Sequence, residues 1–180
     1  MPLPRPTPEE IVEMLKRSSL RTVVVEGEND ALMFRILQEK FAEVPVDFLP
    51  AGNKDAVCEI YARRRELKGS KVVFLVDSDL WLFTGRPKGY GDIVATEGYS
   101  IENDIIVTAE PSLTALMRDF ELRKYTSLIE RLSFWFIAAV SKTLAGESVD
   151  LKQHPRQLCD ELREVFELKS DVRKEIAEVE

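Results

Sequence analysis

The sequence predicts an α/β fold: a parallel sheet of about four strands with helices on both faces, followed by a C-terminal helical extension. Three short apolar runs carry this reading, at 22–25 (Thr-Val-Val-Val), 46–49 (Val-Asp-Phe-Leu) and 71–76 (Lys-Val-Val-Phe-Leu-Val). Segments with apolar residues at helical spacing lie between them. The first run has no polar alternation, as expected of a central parallel strand covered on both faces, and the third is the most strongly apolar. Strand, helix, strand, helix, strand within roughly fifty residues implies right-handed crossovers and a parallel sheet.

Thr7-Pro8-Glu9-Glu10 combines a capping threonine, proline at the first helical position and glutamate three residues past the cap, so a helix starts there. Ile11, Leu15 and Leu20 form its apolar side. Glu26-Gly27 ends the first strand, and from Asn29 the spacing turns helical, with Met33, Ile36, Leu37 and Phe41 on one face. Pro50-Ala51-Gly52-Asn53 closes the second strand. Ala56, Val57, Ile60, Tyr61 and Leu67 then mark a helix ending near Gly69, with Arg63, Arg64 and Arg65 on its exposed side as a solvated face or partner surface.

Residues 81–92 contain Gly85, Pro87, Gly89 and Gly91 without periodicity and read as an exposed loop, followed by a fourth strand around 93–96. From Pro111 onward the reading is mostly helical. Phe134-Trp135-Phe136-Ile137 is apolar all around a helical turn, which suits a core or an oligomer interface. Leu158, Leu162, Val165, Phe166 and Leu168, set among charges, read as an amphipathic helix packed on the domain or on a partner chain. The expected organisation is an N-terminal helix over 1–20, an α/β domain over 21–108 and a helical extension over 109–180.

At 180 residues and 44% hydrophobic content the chain can bury one real core. Cys58 and Cys159 are far apart and form no C-x-x-C motif, so a reducing compartment, the cytoplasm, is expected. No signal pattern opens the chain and no apolar run approaches the ~20 residues that span a bilayer, so no membrane association is expected. His154, the single histidine, cannot build a zinc site with two distant cysteines and reads as a surface residue. A net charge of −7 argues against coating nucleic acid by bulk electrostatics, but not against an enzyme that offsets phosphate charge with metal ions.

In an open parallel sheet, ligands bind outside the carboxyl ends of the strands, and there the acids gather. Glu26 closes the first strand, Asp30 falls in the first turn of the next helix, and Asp77 and Asp79 flank Ser78 at the end of the third strand. Asp-x-Asp at a strand exit can aim both carboxylates into one crevice, and such hard oxygens suit Mg²⁺. Read alone, Asp77 and Asp79 are equally two solvated loop acids. Gly27 is either an ordinary turn glycine or one that admits a ligand close to the backbone. Lys88, in the glycine-rich loop, is a candidate for holding a phosphate.

Val-Val-Val-Glu26-Gly27-Glu28-Asn29-Asp30 and Val-Val-Phe-Leu-Val-Asp77-Ser78-Asp79 occur in that order. Together they resemble the TOPRIM domain of topoisomerases, primases and the overcoming-lysogenization-defect nucleases, and Gly52 resembles a glycine of that family. The resemblance covers residues 21–104. Tyr99-Ser100-Ile101-Glu102-Asn103 further resembles an uncharacterised TOPRIM-like family found beside ABC-type ATPases in bacterial anti-phage systems.

The resemblance implies Glu26 as general acid/base or metal ligand, Asp77 and Asp79 as ligands of Mg²⁺ or Mn²⁺, Asp30 as a supporting acid of the metal site, and Glu102 as a candidate extra ligand among the catalytic residues. Two ions about 4 Å apart would stabilise both oxygens of an in-line displacement, whereas with one ion Glu26 handles the proton. The function this implies is a metal-dependent nuclease acting on DNA or RNA, a defence effector directed by an ATPase. No Gly-x-x-x-x-Gly-Lys-Ser/Thr loop occurs, so that ATPase is expected on a separate chain. The alternative is a TOPRIM-like module that binds metal or a partner without turnover. A homo-oligomer through the C-terminal helices is also expected.

Overall fold

The computed structural model describes residues 5–27, 31–40, 42–151, 153, 155–161 and 165–177. The chain divides into two compact units, one reaching Val107 and the other beginning at Thr108. The first opens with α1 (Pro8–Arg17), capped as its sequence requires. Thr7 Oγ1 accepts the Glu10 amide at 3.3 Å while the Glu10 carboxylate accepts the Thr7 amide at 2.7 Å. Helix starts leave such amides without intrahelical partners, and this reciprocal pair satisfies two of them. The buried stripe is Ile11, Val12 and Leu15. Leu20 does not join it, because the helix stops at Arg17 and leaves Leu20 57% exposed.

Then come β1 (Arg21–Val25), α2 (Ala31–Lys40), β2 (Val46–Pro50), α3 (Lys54–Ala62), β3 (Val72–Val76), α4 (Trp81–Thr84) and β4 (Val94–Ala95). The strands form one sheet in the order β2-β1-β3-β4 with every pairing parallel, so the fold is α/β. Val24 stands opposite Leu49 on one side and Phe74 on the other. Val24, Phe74 and Val76 bury one face of the sheet against Ile11, Val12 and Leu15 of α1 and Val57, Ile60 and Tyr61 of α3. Each such side chain taken from water stabilises the fold by roughly 1.5–3 kcal/mol, which makes α1 an integral part of this core. Alternate strand residues point the other way, and there Phe34 of α2 is buried and stacks on Phe48 at 4.5 Å. That face is less completely covered, since Val73 is 47% exposed.

Several expectations need correction. The helix read through to Gly69 stops at Ala62, and Arg64–Leu67 forms a 3₁₀ turn. The arginines therefore do not share one exposed helix face: Arg63 Nε donates to Glu66 at 2.8 Å, and the Arg64 guanidinium lies 4.1 Å over the Tyr61 ring. The segment read as loop over 81–92 begins with the single turn α4. Its Trp81, with Tyr90 at 6.1 Å, packs onto the core, because two large rings gain more by burial than the intervening glycines and proline oppose. The next helix, α5 (Ile101–Leu116), starts ten residues before Pro111 and carries that proline inside it.

The second unit contains the rest of α5, α6 (Asp119–Leu144), α7 (Pro155–Leu158), β5 (Cys159–Glu161), β6 (Phe166–Leu168) and α8 (Ser170–Ala177). The amphipathic helix expected from Leu158 to Leu168 is instead an antiparallel pair, with Cys159 opposite Leu168 and Glu161 opposite Phe166. Glu167 is exposed and Leu168 buried, a period of two that strands impose. Trp135 of α6 is buried with Ala139, Leu158, Cys159, Leu168 and Val172. The aromatic run on α6 is split by the helix: Phe134 is 56% and Ile137 64% exposed. Asn29, Asp30, Phe41, His154 and Leu162 lie outside the described residues. Among the described residues, no helix is long and apolar enough to cross a membrane.

Candidate functional site

From β1 the chain crosses to β2 on one side and then returns past β1 to β3 on the other. The carboxyl ends of β1 and β3 thus border a topological switch point, where the outgoing loops part and leave a crevice. Glu26 follows the last residue of β1, and Asp77 follows the last residue of β3. Glu26 Oε1 accepts the Asp77 amide at 2.8 Å, a direct link between the two strand exits. Val25, Phe34, Leu75, Val76 and Ile101 line the small cavity beside these two acids. Burial pushes the Glu26 carboxyl up to about 7, the negative charges of Asp77 and Asp79 add to the rise, and the Asp77 amide and Lys54 oppose it.

The turn over residues 77–79 is held by the segment 96–101. Asp77 Oδ1 accepts the Ile101 amide at 3.0 Å, so this carboxylate caps the start of α5. Ser78 is buried, its amide donating to Thr96 Oγ1 at 2.9 Å and its hydroxyl donating to Thr96 O. The Asp79 amide donates to Tyr99 O at 2.8 Å. Asp79 has φ of +47°, a left-handed conformation that a residue with a Cβ adopts only where its surroundings compensate. Behind this segment, Asp104 accepts the amides of Glu97 and Gly98, and a Cβ at Gly98 would lie 2.7 Å from Asp104 Oδ1.

The third wall comes from the exit of β2. The Gly52 amide donates to Glu26 O at 2.7 Å, and its φ of +110° turns the chain in a way that glycine tolerates. Asn53 then caps α3 by accepting the Ala56 amide at 2.8 Å, which sets Lys54 in the first helical turn. Lys54 Nζ donates to Asp77 O at 2.5 Å, Ser78 O at 3.0 Å and Asp79 Oδ2 at 3.2 Å, and lies 4.0 Å from the Trp81 ring centroid. Reading the sequence missed Lys54. A lysine at a helix N-terminus, against the helix dipole and at a strand exit shared with the acids, was the available signal.

Of the residues singled out by sequence, Glu26 and Asp77 thus line one cavity, while Asp79, two residues further on, pairs with Lys54. Glu102 is exposed in the first turn of α5, where its carboxylate accepts the Ser100 hydroxyl at 2.6 Å. Lys88 is exposed in the loop after α4, with no partner among the described residues, while Arg86 secures that loop by donating to Gly91 O and Ile93 O. Asp30 falls outside the described residues.

No protein-family model and no curated protein matches the chain. The donors around the crevice are carboxylate and carbonyl oxygens, the type that Mg²⁺ and Mn²⁺ prefer. The negative charges of Asp77 and Asp79, which add to the effect of burial at Glu26, are of the kind a cation offsets. Among the described residues no group of three or more His, Cys, Asp or Glu side chains is placed so that it could hold a metal ion. The contacts above use Oε1 of Glu26, Oδ1 of Asp77 and Oδ2 of Asp79.

Proposed function

We propose that the first unit is a TOPRIM-type nuclease that uses Mg²⁺ or Mn²⁺ to cleave phosphodiester bonds of DNA or RNA. The observation that supports it most is the meeting of Glu26 and Asp77 across adjacent parallel strands, with Asp79 two residues further on. Asp77 and Asp79 would hold the ion, with Glu26 beside them. A bound divalent ion would supply charge stabilisation at the phosphorus centre and let a chain of net charge −7 approach a polyanion. Glu26, pushed up to about 7, is poised to hold or release a proton near neutral pH, which suits a general acid or base. The apolar lining of Val25, Phe34 and Ile101 supplies part of the burial that raises that value.

Plasmid, single-stranded DNA and tRNA incubated with the purified protein test the reading. At least one should be cut with Mg²⁺ or Mn²⁺ present and none with EDTA. Metal binding without cleavage of any nucleic acid would favour the second reading, a TOPRIM-like binding module. The pairing of Asp79 with Lys54 is the observation on its side, since it occupies one expected ligand.

The segment Tyr99-Ser100-Ile101-Glu102-Asn103 adds a separate ABC-type ATPase as the partner that directs the cut, in a cytoplasmic defence system. Cys58 and Cys159, both free thiols, agree with a reducing compartment. Co-expression with a neighbouring ATPase chain followed by pull-down tests the partnership, and failure to copurify counts against it. The exposed Phe134 and Ile137 of α6 are the surface we infer to join copies of the chain. Light scattering should give a dimer or larger, and a monomer across a wide concentration range removes that part.

A further inference from the structure

Lys54 stands where a helix disfavours a cation, at the positive end of α3. What holds it there is the opposite loop. An ammonium has three donors, and three oxygens within 2.5–3.2 Å receive them: the carbonyls of Asp77 and Ser78 and the carboxylate of Asp79. The Trp81 ring, 4.0 Å away, presents its electron-rich face to the same charge. With its side chain only 17% exposed, Lys54 is held in a cage rather than resting on the surface.

The cage has the composition of a divalent-cation site: one carboxylate oxygen and two backbone carbonyls, all hard donors around one point. The cation in it is tethered through the lysine stem to the N-terminus of α3. It also offsets what the turn would otherwise suffer, two carbonyls and a carboxylate facing one another beside a left-handed Asp79.

We propose that Lys54 is a positioning residue that acts as the built-in second cation of the crevice, holding the turn from Asp77 to Asp79 and filling its oxygen cage, so that one divalent ion binds where two would otherwise sit. The inference rests on the metal-dependent reading above. Its consequence is a changed ligand set: Asp79 is given to Lys54 and orients the turn rather than holding the ion with Asp77, and the single ion lies on the Glu26 and Asp77 side. An arginine is a poor substitute, because a planar guanidinium fork does not offer three donors converging from one atom.

Counting bound Mn²⁺ by titration calorimetry and by native mass spectrometry, on wild type and on Lys54→Met, tests this without any cleavage assay. Methionine keeps the stem length and the contact with Trp81 but removes the charge. Wild type should bind one ion and Lys54→Met two. The variant should also melt lower without metal, by on the order of 5 °C, and recover most of that loss in Mn²⁺. One ion on each protein overturns this inference alone, and so do two ions on wild type. No ion on either overturns both this inference and the metal-dependent reading. Should Lys54→Met fail to fold, Lys54→Gln, which keeps a donor for the carbonyls but no charge, replaces it in the same count: two ions on that variant support the inference and one ion overturns it.

Discussion

Asp77→Asn should lower divalent-dependent cleavage by about a thousandfold or more while leaving the fold in place. The carboxylate has two duties that this substitution separates. Its Oδ1 accepts the Ile101 amide and so caps α5, and an asparagine Oδ1 accepts the same bond. Its charge faces the crevice with Glu26 and Asp79, and asparagine removes that charge. Stabilising charge at a reacting phosphate through a metal is worth several kcal/mol, and a thousandfold corresponds to about 4 kcal/mol. Single-turnover rates on whichever substrate is cut, beside a thermal melt, make the measurement. Rates within about tenfold of wild type, with the melting temperature unchanged, would move the chemistry away from the β1 and β3 exits.

Glu26→Gln should act on activity and on stability in opposite directions. Cleavage should fall by about 10²–10⁴-fold, the usual contribution of a positioned acid or base. Without metal, however, the variant should be more stable than wild type above neutral pH. The Glu26 carboxyl is raised to about 7 in the folded protein, mainly by burial, against an unfolded value near 4.5. Between those two values the folded state binds more protons than the unfolded one, so wild-type stability falls as pH rises through that window, and the whole cost is present above about 7. A shift of this size would represent about 3 kcal/mol for a sealed group. Water still reaches this half-buried carboxylate, so about 1–2 kcal/mol is the figure to expect, or a few degrees in melting temperature. Glutamine keeps an acceptor for the Asp77 amide and carries no charge. The variant should therefore melt higher than wild type at about pH 8.5 and alike at about pH 4, with the gap closing across the window. A gap independent of pH, or one of opposite sign, means that Glu26 ionises as a solvated carboxylate does.

The strands of the parallel sheet were legible because they are short, largely apolar runs bounded by breakers, and the acids because Glu26-Gly27 and Asp77-Ser78-Asp79 stand at the strand ends that any parallel sheet brings to one side. Lys54 was not legible. It lies 23 positions before Asp77, and only the return of the chain past β1 brings the exits of β2 and β3 face to face. The left-handed Asp79 was hidden for a related reason, since its compensating bonds come from Tyr99 and Lys54, far away in sequence. Around Leu168 the apolar residues could be counted with a helical or a strand period, and the choice fell to pairing with Cys159. Trp81 and Tyr90 were masked by the glycines and proline between them, which local propensity weighs more heavily than the burial of two rings.

The pairing of Thr22, Val23 and Val24 with Val72, Val73 and Phe74 also governs the order in which the molecule can assemble. A parallel neighbour fifty residues away must wait for the intervening chain to close a long loop, whose entropy is lost before any ladder bond repays it. The amide that Glu26 receives belongs to Asp77, on the far side of that closure. A chain still emerging from the ribosome, or one caught half-folded, has the acids but not the crevice. Glu26 in such a chain is a solvated carboxylate of ordinary acidity, and it gains its altered proton affinity in the same late step that joins β3 to β1.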